Sequence, residues 1–290
     1  MNKKTFKKIF EYLLYLFAII GFIFVFIYFA IQFGWLNVRG SASQRNSYFN
    51  IVKGNNIRIL EVKNEKLCVP ASSCAWASSE EWALMKEVFT RDQEIIKKAA
   101  NDAGIEPRIL LGGIIGEQFR FFGNRRESFK QYFEPLKILA SLSNTSYGIA
   151  GLKPKTLMQI EDHMKDPKSP FYLGPEMENF FVYNEGADIE KVRFNRITDV
   201  NDPYYSYLYA GLYMKQIQTQ WIKSGYDISE RPDVFGTLYN LGFYYSVPKQ
   251  NPQSGGSIVI VNGMSYNFGD ISYEFYYSDE LSDIFPYDVK

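Results

Sequence analysis

The run LLGGIIGEQFRFFG, residues 110–123, sets one carboxylate, Glu117, inside an otherwise greasy segment. A helix that is apolar on nearly every side is a buried one, and an ionised carboxylate buried without a partner is costly. Pro107 suits the first turn of this helix, which is expected to run to about Phe122. Three and four residues from Glu117 lie Gly113, Ile114 and Phe121, an apolar face with one small gap. Glycines at 112, 113 and 116 each cost a helix about 1 kcal/mol relative to alanine, a loss tolerated mainly where another backbone or a ligand must come close. Two readings follow. An apolar wall favours the protonated carboxyl and leaves a proton for donation to a leaving oxygen, the physics of a glycosidase general acid. Alternatively, Glu117 forms a salt bridge with Arg120, Arg125 or Arg126 and only orients the helix.

Upstream, EWALMKEVFTRDQEIIKKAANDAG carries apolar residues at helical spacing from Glu81, with Gly104 as a C-cap. Downstream, FKQYFEPLKILASL, PKTLMQIEDHM, YSYLYAGLYMKQIQTQWIKSG and RPDVFGTLYNLGF read as further helices. The segment between Pro167 and Pro203 reads as a looser edge or cover. After Ser246 the texture becomes Gly- and β-rich, with an Asn-Gly turn at 262–263, which predicts a terminal hairpin or extension.

The N-terminus indicates the compartment. Lys3, Lys4, Lys7 and Lys8 precede an uncharged stretch from Tyr12 to Trp35, longer than the roughly 20 apolar residues a spanning helix needs. Only Arg39 follows closely, so the basic tail belongs in the cytoplasm and the rest outside it. The expected location is the cytoplasmic membrane, crossed once. A cleaved signal peptide is the rival, with a weak site in the SAS near position 42 and an apolar core that is long for one, usually about 7–15 residues. The two cysteines, Cys68 and Cys74 in CVPASSC, are close enough in sequence to staple a small loop outside the cell. One of them as a nucleophile with His163, the only histidine, is the alternative.

Lys+Arg and Asp+Glu both number 32, so there is no basic field of the kind nucleic-acid binding needs. A single histidine makes a zinc site or a serine triad a poor fit, His163 itself reads as an exposed helical residue, and no metal or cofactor is expected.

IIKKAANDAGIEPRILLGGIIGEQFRF, TSYGIAGLKPKTL, YLYAGLYMKQI and LYNLG occur in that order between about residues 88 and 245. Together they resemble the four motifs of the lytic transglycosylase and goose-type lysozyme superfamily. The resemblance implies a mainly α, lysozyme-like domain with Glu117 as the catalytic acid. Gln118, Ser146, Gly148, Tyr239 and Asn240 would line the cleft; Ala210, Gly211 and Tyr213 carry the third motif, and Leu152, Pro154 and Thr156 complete the second. Two positions depart from the pattern: Gln118 stands where the family usually has serine, and Gly151 where it has glutamine. Ser146 and Gly148 read equally as a helix-approach turn, and Gly242 as a helix cap beside Tyr239 and Asn240.

The organisation expected is a basic tail (1–11), a transmembrane helix (12–35), a neck with the disulfide (36–85), the lysozyme-like domain (86–245) and a small β-rich C-terminal extension (246–290). The implied activity is cleavage of the MurNAc-β-1,4-GlcNAc bond of peptidoglycan with one glutamate, giving 1,6-anhydromuramoyl ends. An inverting muramidase or a catalytically weak glycan binder on the same fold are the alternatives. Glycosidases that use water commonly pair two carboxylates. Glu161, Asp162, Asp188, Asp199 and Asp202 are the candidates for the second, each otherwise a surface charge or helix cap.

Overall fold

The computed structural model describes residues 3–32, 74–123, 148–199 and 201–286. Helix α1 spans Lys3–Gln32, so the basic tail and most of the uncharged stretch form one continuous helix. The apolar side chains described in it, from Tyr12 to Phe26, are all exposed. Among the residues described in full no helix is long and apolar enough to cross a membrane. Within α1 those residues lie between Lys8 and Phe26, a stretch shorter than the uncharged run from Tyr12 to Trp35.

The folded body is mainly helical: α2 (Glu80–Arg91), α3 (Gln93–Ala103), α4 (Pro107–Gly123), α5 (Pro154–Lys165), α6 (Ile189–Thr198), α7 (Tyr204–Lys223), α8 (Pro232–Leu241) and α9 (Phe268–Tyr277). One small antiparallel sheet pairs β1 (Ile258–Val261) with β2 (Met264–Asn267). Helix α7 runs through the centre: Tyr207, Tyr209, Leu212, Met214 and Ile217 are essentially inaccessible. Helix α4 packs against α9, α8, α7 and β1.

Several elements depart from expectation for identifiable reasons. The single helix expected from Glu81 to Gly104 is two, α2 and α3, broken at Asp92. Asp92 is buried, and its carboxylate accepts from Tyr207 Oη at 3.0 Å and from Arg91, a tertiary demand that overrides helical continuity. Gly104 is the left-handed cap the sequence predicts, with φ of 70°. The looser segment holds a helix, α6, begun by Asp188, whose carboxylate accepts from the amide of Lys191. The helix read at FKQYFEPLKILASL lies outside the described residues.

The largest correction concerns the ends. The Asn262-Gly263 hairpin forms as expected, with φ of 47° and 77°, which allows the strands to twist together. Beyond it, however, ISYEFYYS is helical, and α9 is part of the core rather than of a β-rich appendix. Phe268, Ile271 and Phe275 are fully buried. The neck contributes too. Trp76 meets Trp82 edge to face at 5.0 Å, Trp82 meets Phe275 at 5.7 Å, and Trp76 Nε1 donates to Glu274 at 2.8 Å. The core therefore runs past both expected edges, 86 and 245.

What fastens α9 is an arginine the sequence reading passed over. Arg108, in the first turn of α4, is fully buried. Its Nε donates to the carbonyl of Tyr276 at 2.6 Å, Nη2 to those of Phe275 and Ser278 at 2.8 and 2.6 Å, and Nη1 to those of Glu280 and Phe285 at 2.9 and 3.0 Å. A helix leaves its last carbonyls without intrahelical donors, and here a single guanidinium caps them and holds the chain that follows. Arg108→Leu is expected to lower stability by roughly 3–5 kcal/mol, because several buried acceptors lose their donors at once. Urea unfolding followed by circular dichroism at 222 nm measures it. Arg108→Lys should recover little, since one ammonium has three donors and no planar fork.

Candidate functional site

Glu117 lies in the third turn of α4 and is only 4% exposed, as its apolar neighbours predict. Three glycines clear the approach to it. A Cβ on Gly116 would stand 2.6 Å from Phe268 Cδ1, one on Gly113 would run into Met214 Cε and lie 3.1 Å from Tyr239 Cγ, and one on Gly112 would be in ordinary contact with Ser272 Cβ at 3.4 Å. The apolar gap is therefore filled by other helices of the fold.

The segment that begins at Gly148 folds over Glu117. Gly148 and Gly151 have φ of 65° and 64°, the left-handed region that favours glycine. At Gly151 a Cβ would lie 3.0 Å from Glu117 Cβ and 3.2 Å from its Oε2. Gly151 thus brings backbone directly onto the carboxylate's side chain. Tyr239, from α8, clamps the same turn: its hydroxyl donates to the carbonyl of Ala150 at 2.5 Å. The amide of Ala150 in turn donates to Ser206 Oγ at 3.2 Å. Tyr213, from α7, donates to the carbonyl of Leu238 at 3.2 Å, and its ring lies 5.4 Å from that of Tyr239. Burial first, and the negative charge of Glu117 second, push both phenols far above the ordinary tyrosine range, so they serve as neutral donors. Segments far apart in sequence, α4, the turn at Gly148–Gly151, α7 and α8, meet around one carboxylate.

The carboxylate has a partner. Arg120 Nη2 forms an ion pair with Glu117 Oε2, so of the two sequence readings the salt bridge is the one present; Arg125 and Arg126 lie outside the described residues. The contact is short but not directed. Neither Glu117 Oε2 nor Arg120 Nε, both buried, has a partner in hydrogen-bond geometry among the described residues. The Arg120 side chain is 14% exposed and leans towards the Phe268 ring, 5.9 Å from its centroid.

The other candidates are placed as follows. Gln118 Nε2 donates to the carbonyl of Ile149 at 2.5 Å, so it braces the same turn and does not contact Glu117 by a hydrogen bond. Asn240 Oδ1 accepts from the amide of Ser257 at 2.8 Å and ties α8 to the approach of the hairpin. Ser146 and Cys68 lie outside the described residues. Cys74 is disulfide-bonded, which removes it as a nucleophile. His163 is not the exposed residue expected. It lies half-buried between Phe171 and Phe243, at ring distances of 4.7 and 4.8 Å, and burial depresses its basicity. A broad polar cavity whose walls include Glu106, Ile228, Arg231, Lys249 and Tyr276 does not have Glu117 among them. Among the described residues no group of three His, Cys, Asp or Glu is placed to hold a metal ion.

Of the candidate second carboxylates, Asp188 caps α6 and Asp162 and Asp202 are exposed, while Asp199 accepts from the amides of Asn201 and Asp202. Glu161 overturns the surface reading. It is 1% exposed, receives Arg193 through a fork at 2.8 and 2.7 Å, and accepts from the hydroxyls of Tyr183 and Tyr209, each at 2.5 Å. Burial pushes its pKa up, but the Arg193 fork and the two phenols outweigh that and hold it below the ordinary carboxylate value. The cluster's only advance signal was the helical register that puts Glu161 one turn after Leu157, on the buried side of α5.

Compared with family models, with curated proteins and with solved structures, the chain matches none.

Two measurements test these assignments. Gly151→Ala is expected to cost at least about 1–2 kcal/mol from the left-handed backbone alone. Gly151→Gln, with a longer side chain at the same left-handed position, should also lower the thermal midpoint. Because Glu161 is more acidic folded than unfolded, its contribution is present above roughly pH 4.3 and is lost as pH falls through its folded value. Glu161→Gln should therefore be less stable by roughly 3–5 kcal/mol at pH 7. The gap between variant and wild type should narrow in unfolding titrations carried below about pH 4.

Proposed function

We propose that the chain is a membrane-anchored, lysozyme-like protein that acts on peptidoglycan, with Glu117 as its proton donor. The observation that carries the reading is the convergence at Glu117: the turn through Gly148 and Gly151 lies against its side chain, and Tyr239 locks that turn from α8. These are the segments whose sequences resemble the superfamily's motifs. A common fold is the economical reason for their meeting at the one carboxylate the motifs single out.

The chemistry is that of a lytic transglycosylase. The Glu117 carboxyl gives its proton to the glycosidic oxygen as the bond from that oxygen to C1 of the muramoyl unit breaks. The N-acetyl group stabilises the electron-poor C1. The carboxylate then takes the proton of the 6-hydroxyl as O6 bonds to C1, closing the 1,6-anhydro ring and restoring the acid. One carboxylate suffices because no water enters. The neutral phenols of Tyr213 and Tyr239 and the backbone of the 148–152 turn keep it fixed. Helix α1 supplies the anchor, its tail in the cytoplasm and its body outside: apolar side chains bare around a helix suit hydrocarbon rather than water.

A second reading has its own support. The Arg120 guanidinium occupies Glu117 Oε2, and a carboxylate engaged in an ion pair fits a glycan binder that has lost turnover. Full-length protein in detergent, incubated with purified sacculi and followed by mass analysis of released muropeptides, separates the readings. Anhydro ends are expected; reducing ends would indicate a muramidase, and sedimentation with sacculi without products the binder. Glu117→Gln should lower release at least about 100-fold, as loss of a general acid does. Undiminished release in that variant would remove Glu117 from the mechanism.

A further inference from the structure

Arg120 poses a problem that the proposed function leaves open: a proton donor held by a guanidinium is held in its wrong form. We propose that Arg120 is a substrate-released latch, and that the group releasing it is a carboxylate carried by the muramoyl unit of the glycan. The inference rests on the function proposed above.

The geometry of the pair is what suggests exchange. A guanidinium binds a carboxylate best through two parallel N–H bonds, and Arg120 has only one nitrogen, Nη2, on Glu117. Its Nε is buried and lacks a hydrogen-bond partner among the described residues, and Glu117 Oε2 likewise has none. The three-residue spacing along α4 explains the poor fit: both side chains leave the same helix surface and meet at a point, not as a fork. An incoming carboxylate can take Nε and Nη2 together and satisfy the orphan donor. The retained exposure of the Arg120 side chain, 14% against 5% for that of Glu117, puts the open side of the pair on the arginine.

The exchange is balanced in charge and protons. The guanidinium passes from one carboxylate to another, and Glu117, left buried without a counterion, takes a proton from solvent. That is the proton it delivers to the glycosidic oxygen. Arg120 is thus a specificity-determining and positioning residue: glycans without a carboxylate leave the latch closed.

The test compares kcat/KM of the full-length protein in detergent on three glycans: naked strands with free lactyl carboxylates, strands bearing stem peptides, and naked strands whose carboxyls have been converted to neutral amides. Wild type should lose about 10–100-fold on amidation, the worth of a charge-assisted bond. In Arg120→Gln the free and amidated strands should differ by less than about 3-fold, with the amidated strand cleaved faster than by wild type. The ratio of the two rates does not depend on how much of a variant is folded, and Arg120→Lys, which keeps the charge but not the fork, should fall between. Whichever of the naked or stem-bearing strands shows the Arg120-dependent gain identifies the source of the carboxylate. Indifference of wild type to amidation, or an unchanged ratio in Arg120→Gln, overturns the latch while leaving the proposed function standing. Full turnover in Glu117→Gln overturns the function itself, and no turnover of any strand by wild type overturns both.

Discussion

Three glycines on α4 are the constraint on which the body of the protein depends. Gly112, Gly113 and Gly116 occupy the turns just before Glu117, and neighbours close on each: Ser272 of α9 on Gly112, Met214 of α7 and Tyr239 of α8 on Gly113, and Phe268 of α9 on Gly116. A Cβ at Gly113 or Gly116 would run into Met214 or Phe268, and close packing transmits such a displacement instead of absorbing it. The helix gives up intrinsic stability at these positions, and its low propensity is offset by the burial of Ile114, Ile115 and Phe119 around them. Glu117 inherits its dryness from this packing.

The same helix is fixed at its other end by Arg108. Because its five carbonyl partners fall in α9 and the turns that follow, the last described stretch of chain is fastened to the first turn of the helix that carries Glu117. Trp76 and Trp82 arrive from the opposite end of the sequence and close over Phe275. A body in which Trp76, Trp82 and the chain after α9 pack together beneath α4 couples global stability to the placement of one carboxylate.

Local chemistry was legible in the sequence, and tertiary chemistry was not. Gly104, Pro107 and the Asn262-Gly263 turn act on the backbone within a few residues, and each did what its position predicts. The burial of Glu117 followed from neighbours three and four residues away. Asp92, Arg108 and Glu161 were missed because a buried polar residue looks like a surface one until its partners, here Tyr207, the α9 carbonyls and Arg193, are brought from far along the chain. ISYEFYYS misled for a related reason: its aromatic residues favour strands in isolation, and burial of Ile271, Phe275 and Tyr276 on one face makes it a helix. Gly151 sits in the left-handed region with a Cβ position only 3.0 Å from Glu117 Cβ, a closeness visible only once the turn lies on α4.

The two buried acids of the molecule make opposite use of arginine. Glu161 has a two-pronged guanidinium and two phenols directed at its oxygens, so nothing entering from outside can improve its surroundings. Such a cluster costs much to break and little to keep, which is the property of a structural element. Among the described residues Glu117 has one ionic contact, its Oε2 has no directed donor, and the Nε of the arginine beside it has no hydrogen-bond partner. An incomplete arrangement in so dry a place is retained at a cost in stability, and its unsatisfied donor is a standing free energy for any ligand that can satisfy it. That asymmetry, more than burial alone, is why the proposed exchange is placed at Glu117 rather than at Glu161.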